Sequence, residues 1–365
     1  NEISGYSYTM SNHQKAKQLA DLVKQFHLLL NSGSLDLSSE ATARSWIEEL
    51  LSIFNWNCRD PYEVDQEVSL TGQEIENLNE IDSKHRRPDY LLCAKSKSLV
   101  FIDAKKMGLE IKDSKKAAFQ IRSYGWSAGH SYAILTNFKE FAIYDCRFKP
   151  NKEQEANVAR VLYLTYDKFL DNFAPIYSHL DKDFVLSGQA FDRYKLEDRP
   201  GGTLTLDEDF SEHIRAWRLK FANSIYLPSK TNSIEFISEH TQLFIDRVIF
   251  CRVAEGLRIT EKDTLLNIVS APTSWKKLKE FFSEECSEKF GGLLFGDKKL
   301  FDQITFSDNL IKEFISTLYY PNPYRFDVIT PVLLGNIYER YLGRKLDLKD
   351  GKVIDDFKEE YQKTK

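Results

Sequence analysis

An α/β domain followed by an all-α domain is the fold class this chain predicts, on three observations. Between residues 88 and 165, short apolar runs alternate with polar breaks, and one helical pattern interrupts them. Beyond about residue 206, one helical periodicity follows another. Between these regions the chain turns irregular, through Ser187-Gly188-Gln189 and Arg199-Pro200-Gly201-Gly202-Thr203. A length of 365 residues also exceeds one typical domain. The expected organisation is a first domain over 1–178, a linker over 179–206 and a helical domain over 207–365.

The first predicted element is an amphipathic helix opened by Ser38-Ser39-Glu40, with serine as its N-cap. Ile47, Leu51 and Phe54 follow Glu40 by 7, 11 and 14 residues. At ~100° per residue they fall within about 40° of it on the helix wheel. Glu40 and Arg44 therefore lie along the apolar stripe, and Glu49 lies on the solvated side. A Glu40–Arg44 helix pair, worth ~0.2–0.5 kcal/mol, is the plain reading of that spacing.

The next two elements are strands over 87–92 and 99–105, and they bring Asp89, Asp103 and Lys105 together. Two carboxylates and a lysine at neighbouring strand ends suit metal-dependent cleavage of a phosphodiester. Carboxylates hold Mg²⁺, a hard cation that prefers oxygen, and the metal activates water and polarises phosphate. Lysine orients that water or neutralises developing charge. Acid-x-Lys also recurs at Asp82, Glu110, Asp113, Asp297 and Asp347, in polar surroundings without a strand pattern. Asp103 differs because it ends a β-rich apolar run, where an uncompensated charge is costly. A structural salt bridge from Asp103 to Lys105 or Lys106 explains the strands equally well.

A helix is predicted over 113–128, with Gln120 and Tyr124 four apart on one face. Strands over 131–136 and 140–145 follow, joined by a tight link containing Thr136-Asn137, and a strand over 158–165 closes the pattern.

In this order the motifs resemble the PD-(D/E)XK nuclease superfamily, in the branch with an added Gln/Tyr pair. The resemblance covers roughly 35–165 and implies a central mixed sheet flanked by helices. It implies Asp89, Asp103 and the Ala104 carbonyl as ligands of Mg²⁺ (or Mn²⁺), and Lys105 as the catalytic lysine. Gln120 and Tyr124 would contact DNA or support the site, and Glu40 would be the acid that members carry on the first helix. Asp103 stands where many members have Glu; the shorter side chain still ligates Mg²⁺.

Net charge is −5, which argues against a protein that coats nucleic acid. Residues 84–122, however, hold eleven basic and four acidic residues, +7 locally. Such a field attracts a phosphate backbone, although a solvated basic helix face accounts for Lys112, Lys115 or Lys116 individually. Arg87, Lys106, Lys116 and Arg122 are the candidates for contacting double-stranded DNA. Five cysteines without paired spacing favour a reducing cytoplasm and no zinc site. No apolar run approaches a membrane span. The GxxxxGK[ST] pattern of a P-loop motor is absent from the chain.

In the second half, helices are predicted over 208–226, 232–256, 273–289, 308–319 and 331–343. Asn322-Pro323-Tyr324 shares only part of the Asn-Pro-Pro-Tyr of adenine methyltransferases and reads as a turn. The stretch 331–343, with Gly335, Tyr338 and Glu339, resembles the helix ahead of the methyltransferase in type IIG restriction–modification enzymes. That resemblance implies a nuclease and its helical connector, with methyltransferase and target-recognition domains as partners beyond Lys365. Cutting would then be weak or unselective for this chain alone, with two copies meeting transiently for double-strand cleavage. The alternatives are a silent DNA-binding or assembly module with a nuclease fold, and the nuclease portion of a type I-like translocating enzyme.

Overall fold

The structure, a computed structural model, describes residues 2–66, 88–94, 97–194, 205–229, 232–329, 335, 339 and 344–357. It divides into two compact units, 1–203 and 204–365.

The first unit opens with α1 (Glu2–Asn31) and α2 (Glu40–Ile53). No element is predicted ahead of Ser38, yet Leu19, Leu22 and Phe26 recur at helical spacing and are buried. Ser39 caps α2 by accepting from the Thr42 amide. Six strands follow: β1 (Val64–Gln66), β2 (Tyr90–Ala94), β3 (Lys97–Ala104), β4 (Tyr132–Thr136), β5 (Glu140–Asp145) and β6 (Arg160–Thr165). They pair in sequence order, all antiparallel except β3 with β4. A parallel pair needs a crossover, and α3 (Lys115–Ser127) supplies it.

Alternation along the strands separates two faces. Tyr90, Val100, Ile102, Ala104, Tyr132 and Ile134 join Leu19, Phe26, Trp46 and Ile47 of the first two helices in one core. Residues of the opposite parity, Phe101 and Asp103 on β3, face the other way, where the Phe101 ring lies 6.2 Å from Tyr124 of α3. Gly125 permits that helix to approach closely: a Cβ there would sit 2.3 Å from Cys146 Sγ.

The expected linker requires a correction at its start. Helices α4 (Phe173–Leu180) and α5 (Lys182–Leu186) and a 3₁₀ segment (Gln189–Tyr194) run through 179–194. Val185, Ala190 and Tyr194 join the first unit's core, because apolar residues flank the turn at Gly188 and bury once the chain reverses there.

The second unit contains α6 (Leu206–Ser229), α7 (Ile234–Gly256), α8 (Thr264–Ser270), α9 (Ser274–Phe281), a π-helical turn at Phe282–Cys286 and α10 (Asp308–Ser316). Phe221 packs edge to face with Phe244, Phe306 and Phe314 at its centre, and Trp275 does so with Phe306. An all-α description is corrected by a hairpin of β7 (Arg344–Lys349) and β8 (Lys352–Phe357). Its turn, Asp350-Gly351, has positive φ at both residues, which is why this dipeptide closes tight hairpins. The predicted helix over 331–343 lies outside the described residues apart from Gly335 and Glu339. Among the described residues no helix is long and apolar enough to cross a membrane.

Candidate active site

The β2–β3 register pairs Tyr90 with Ile102, so the next residue outward, Asp89, comes opposite Asp103. Asp89 Oδ2 accepts from the Ala104 amide at 2.7 Å, which ties it to the end of β3. Both acids are buried, at 5% and 1% exposure. Asp103 pairs with Leu135 across the parallel junction, and the Lys105 amide donates to Thr136 O at 3.0 Å. The site therefore forms where two strands end side by side.

Lys105 Nζ lies 2.5 Å from Asp103 Oδ2 and 3.4 Å from Gln120 Oε1. Gln120 in turn donates to the Tyr124 hydroxyl at 3.1 Å. The helical spacing of Gln120 and Tyr124 thus becomes a buttress behind the lysine. Tyr124 is fully buried, so it supports the site rather than presenting a surface.

On the other side, Arg44 ion-pairs with Asp89 Oδ1 and reaches Glu40 Oε1 at 3.4 Å. Glu40 and Arg44 share the half-buried edge of α2, while Glu49 is exposed. The Tyr90 hydroxyl donates to Glu48 at 3.2 Å and fixes α2 against β2.

The loop after Lys105 is held at both ends. The Gly108 amide donates to Leu37 O at 2.7 Å, beside the start of α2. Glu140 accepts from the Ile111 and Lys112 amides and from the Tyr163 hydroxyl, and Asn137 Nδ2 donates to Leu109 O. Sequence reasoning missed Glu140; a carboxylate opening a strand whose every residue is buried is the signal that marks it.

Electrostatics separates this cluster from a simple salt bridge. Burial and then the neighbouring Asp103 push the Asp89 carboxyl up to about 7, against the opposing pull of Arg44. Burial alone would lower the Lys105 pKa, but Asp103, Asp89 and Glu40 outweigh it and hold the ammonium above its usual value. Lys105 is therefore a charged donor, not a proton acceptor, in this arrangement. An Asp103–Lys105 pair needs no second buried carboxylate; here Asp89 adds one, and with Glu40 at the edge the group holds three acids against Arg44 and Lys105, one positive charge short.

That deficit and the all-oxygen donor set fit a hard divalent cation. Among the described residues no group of three or more His, Cys, Asp or Glu is arranged to hold a metal. Two carboxylates with water in the remaining positions is how Mg²⁺ is commonly held, whereas Ca²⁺ and zinc sites take more protein ligands.

The basic candidates divide. Lys106 and Lys116 are exposed. Arg122 requires a correction: it is buried at 1% exposure, with NH1 donating to Gln154 at 2.8 Å, so it offers nothing to a DNA backbone. Its place two residues after Gln120 turns it away from the face that carries Gln120 and Tyr124. Arg87 lies outside the described residues.

Residues 9–152 match the family model described as the type I restriction enzyme R protein N terminus. The chain is 26% identical over 278 residues to the type II restriction enzyme and methyltransferase RM.Eco57I of Escherichia coli, covering 76% of this chain and 28% of that protein. The chain thus spans little more than a quarter of that relative's length. No solved structure matches. Over its first part the chain is thus similar to a type I restriction enzyme R protein N terminus, and over a longer stretch to a restriction enzyme fused to a methyltransferase.

Proposed function

We propose that this chain is the metal-dependent DNA endonuclease module of a restriction–modification enzyme, working in the cytoplasm on double-stranded DNA. The observation that carries the proposal is the pair of buried carboxylates Asp89 and Asp103 brought side by side, with Lys105 held between Asp103 and Gln120.

Asp89, Asp103 and the Ala104 carbonyl are the groups that would hold Mg²⁺, or Mn²⁺ in its place. Bound there, the ion supplies Lewis-acid polarisation of the phosphate and a more acidic water. Lys105, kept cationic by its acidic neighbours, orients the attacking water and neutralises charge developing on the phosphate oxygens. Gln120, backed by Tyr124, limits the lysine's wandering, which is the positioning contribution of this PD-(D/E)XK-like arrangement. Exposed Lys106 and Lys116 belong to the basic stretch that draws the phosphate backbone in. In-line attack by water leaves a 5′-phosphate and a 3′-hydroxyl.

Two architectures follow from the relatives. The family model is named for a type I enzyme, which favours a module serving a translocating complex. The match to the fused nuclease–methyltransferase, at 278 residues, is too long to fit inside the first unit and so extends into the second. That extension favours the type IIG arrangement, with the second unit as connector to methyltransferase and target-recognition domains.

The test is cleavage of supercoiled plasmid in Mg²⁺ and in chelator, by this chain and by Asp103→Ala and Lys105→Ala at matched concentration. Metal-dependent nicking with 5′-phosphate ends, lost in both variants, is the expected result. Nicking that survives either substitution removes these residues from the chemistry. DNA binding without nicking by any of the three supports the silent-module alternative.

A further inference from the structure

Arg44 holds a position that the proposed function does not use. Its guanidinium ion-pairs with Asp89 Oδ1, on the carboxylate whose other oxygen is engaged by the Ala104 amide. Its second contact, to Glu40 one helical turn back, is looser at 3.4 Å. The arginine side chain is 24% exposed, Asp89's is 6% exposed and Glu40's is 33% exposed. The cation therefore enters the site from the solvent side and caps a buried anion. The guanidinium thus sits on the Asp89 oxygen that the Ala104 amide leaves open, where a metal ion would approach.

We infer that Arg44 is a built-in counter-ion occupying the place of the divalent cation on Asp89, and that metal binding requires it to swing back onto Glu40. This rests on the reading of Asp89 as a metal ligand. The physical logic is exchange: Arg44 neutralises a buried carboxylate when no metal is bound, where an unpaired charge is strongly unfavourable. Its pairing with Glu40 gives the released guanidinium a partner on the same helix face. Apparent metal affinity falls by whatever the Arg44–Asp89 pair contributes, because the metal-ready conformer is only a fraction of the protein. The released guanidinium then stands at the solvent edge of the site, where a planar fork suits a phosphate.

The experiment is calorimetric titration of the full chain with Mn²⁺ alone, comparing wild type, Arg44→Gln and Asp89→Asn, with thermal melting in chelator and in saturating Mn²⁺. Arg44→Gln is expected to bind Mn²⁺ on the order of tenfold more tightly than wild type. Its melting temperature should drop in chelator and return to the wild-type value in Mn²⁺, while Asp89→Asn binds far more weakly. Equal or weaker Mn²⁺ binding by Arg44→Gln, with the same loss of stability in both conditions, overturns the inference and makes Arg44 a structural pin, leaving the metal site intact. Absence of Mn²⁺ binding by wild type and Arg44→Gln alike overturns the metal reading and this inference with it.

Discussion

Both units bury charge, but they treat it differently. In the helical unit, Arg247 is 2% exposed and donates to Leu294 O and Asp297 O, with Phe282, Phe295 and Phe301 around its guanidinium. Glu255 accepts from the Leu265 amide and the Tyr319 hydroxyl and faces Arg252 at 3.6 Å. Buried ions there meet local backbone or opposite charges, as where the Asp355 carboxylate faces Arg215, Arg218 and Arg344. In the α/β unit two buried carboxylates share one spot, and burial plus mutual repulsion pushes Asp89 up to about 7. The first pattern fastens helices together. The second stores an imbalance that a ligand can relieve, as functional sites do at the expense of stability.

Four substitutions sharpen or break that contrast. The largest effect belongs to Lys105→Arg. It keeps the charge, but a planar fork does not fill the place of a compact ammonium between Asp103 and Gln120. Plasmid nicking should fall by about 10²-fold, and wild-type nicking would show that charge alone suffices. Next is Glu255→Gln, which removes the anion facing Arg252; chemical denaturation should show a loss of about 2 kcal/mol, with nicking per folded molecule unchanged. Gly125→Ala places a Cβ 2.3 Å from Cys146 Sγ and pushes α3 from the sheet. The expected loss is about 1–3 kcal/mol together with weaker nicking, because Gln120 moves with its helix. Adding Cys146→Gly should restore both.

The smallest effect is a pH dependence away from the site. Burial lowers His130 from 6.5 to about 3, so it stays neutral in the fold while the unfolded chain protonates. Its contribution is therefore present above about 6.5 and is lost as pH falls toward 3. Between pH 6.5 and 5.5 this amounts to about 1 kcal/mol. His130→Phe should flatten that part of the stability profile, read by urea denaturation at each pH.

How legible this was varied with the physics of each element. The strands carrying Asp89 and Asp103 stood out because buried β runs are apolar and short, and the Gln120–Tyr124 buttress followed from helical spacing. Helix α1 was equally readable from Leu19, Leu22 and Phe26, but no motif draws attention to it. The hairpin at Asp350-Gly351 carried a strong turn signal inside a stretch whose surroundings read as helical. Arg44 pointing at Asp89 is a contact 45 residues distant in sequence, which no local pattern encodes. The burial of Arg122 likewise depends on β5 and the following loop covering α3, so its charge alone suggested a surface role.

The most direct test is Asp103→Asn, measured for both plasmid nicking in Mg²⁺ and melting temperature in chelator. If the buried charges of the α/β unit serve chemistry, nicking disappears while the metal-free melting temperature holds or rises, since Asp89 loses its repelling neighbour. Retained nicking, or a fall in melting temperature as large as that of Glu255→Gln, would make the cluster a structural salt bridge like those of the helical unit and contradict the account.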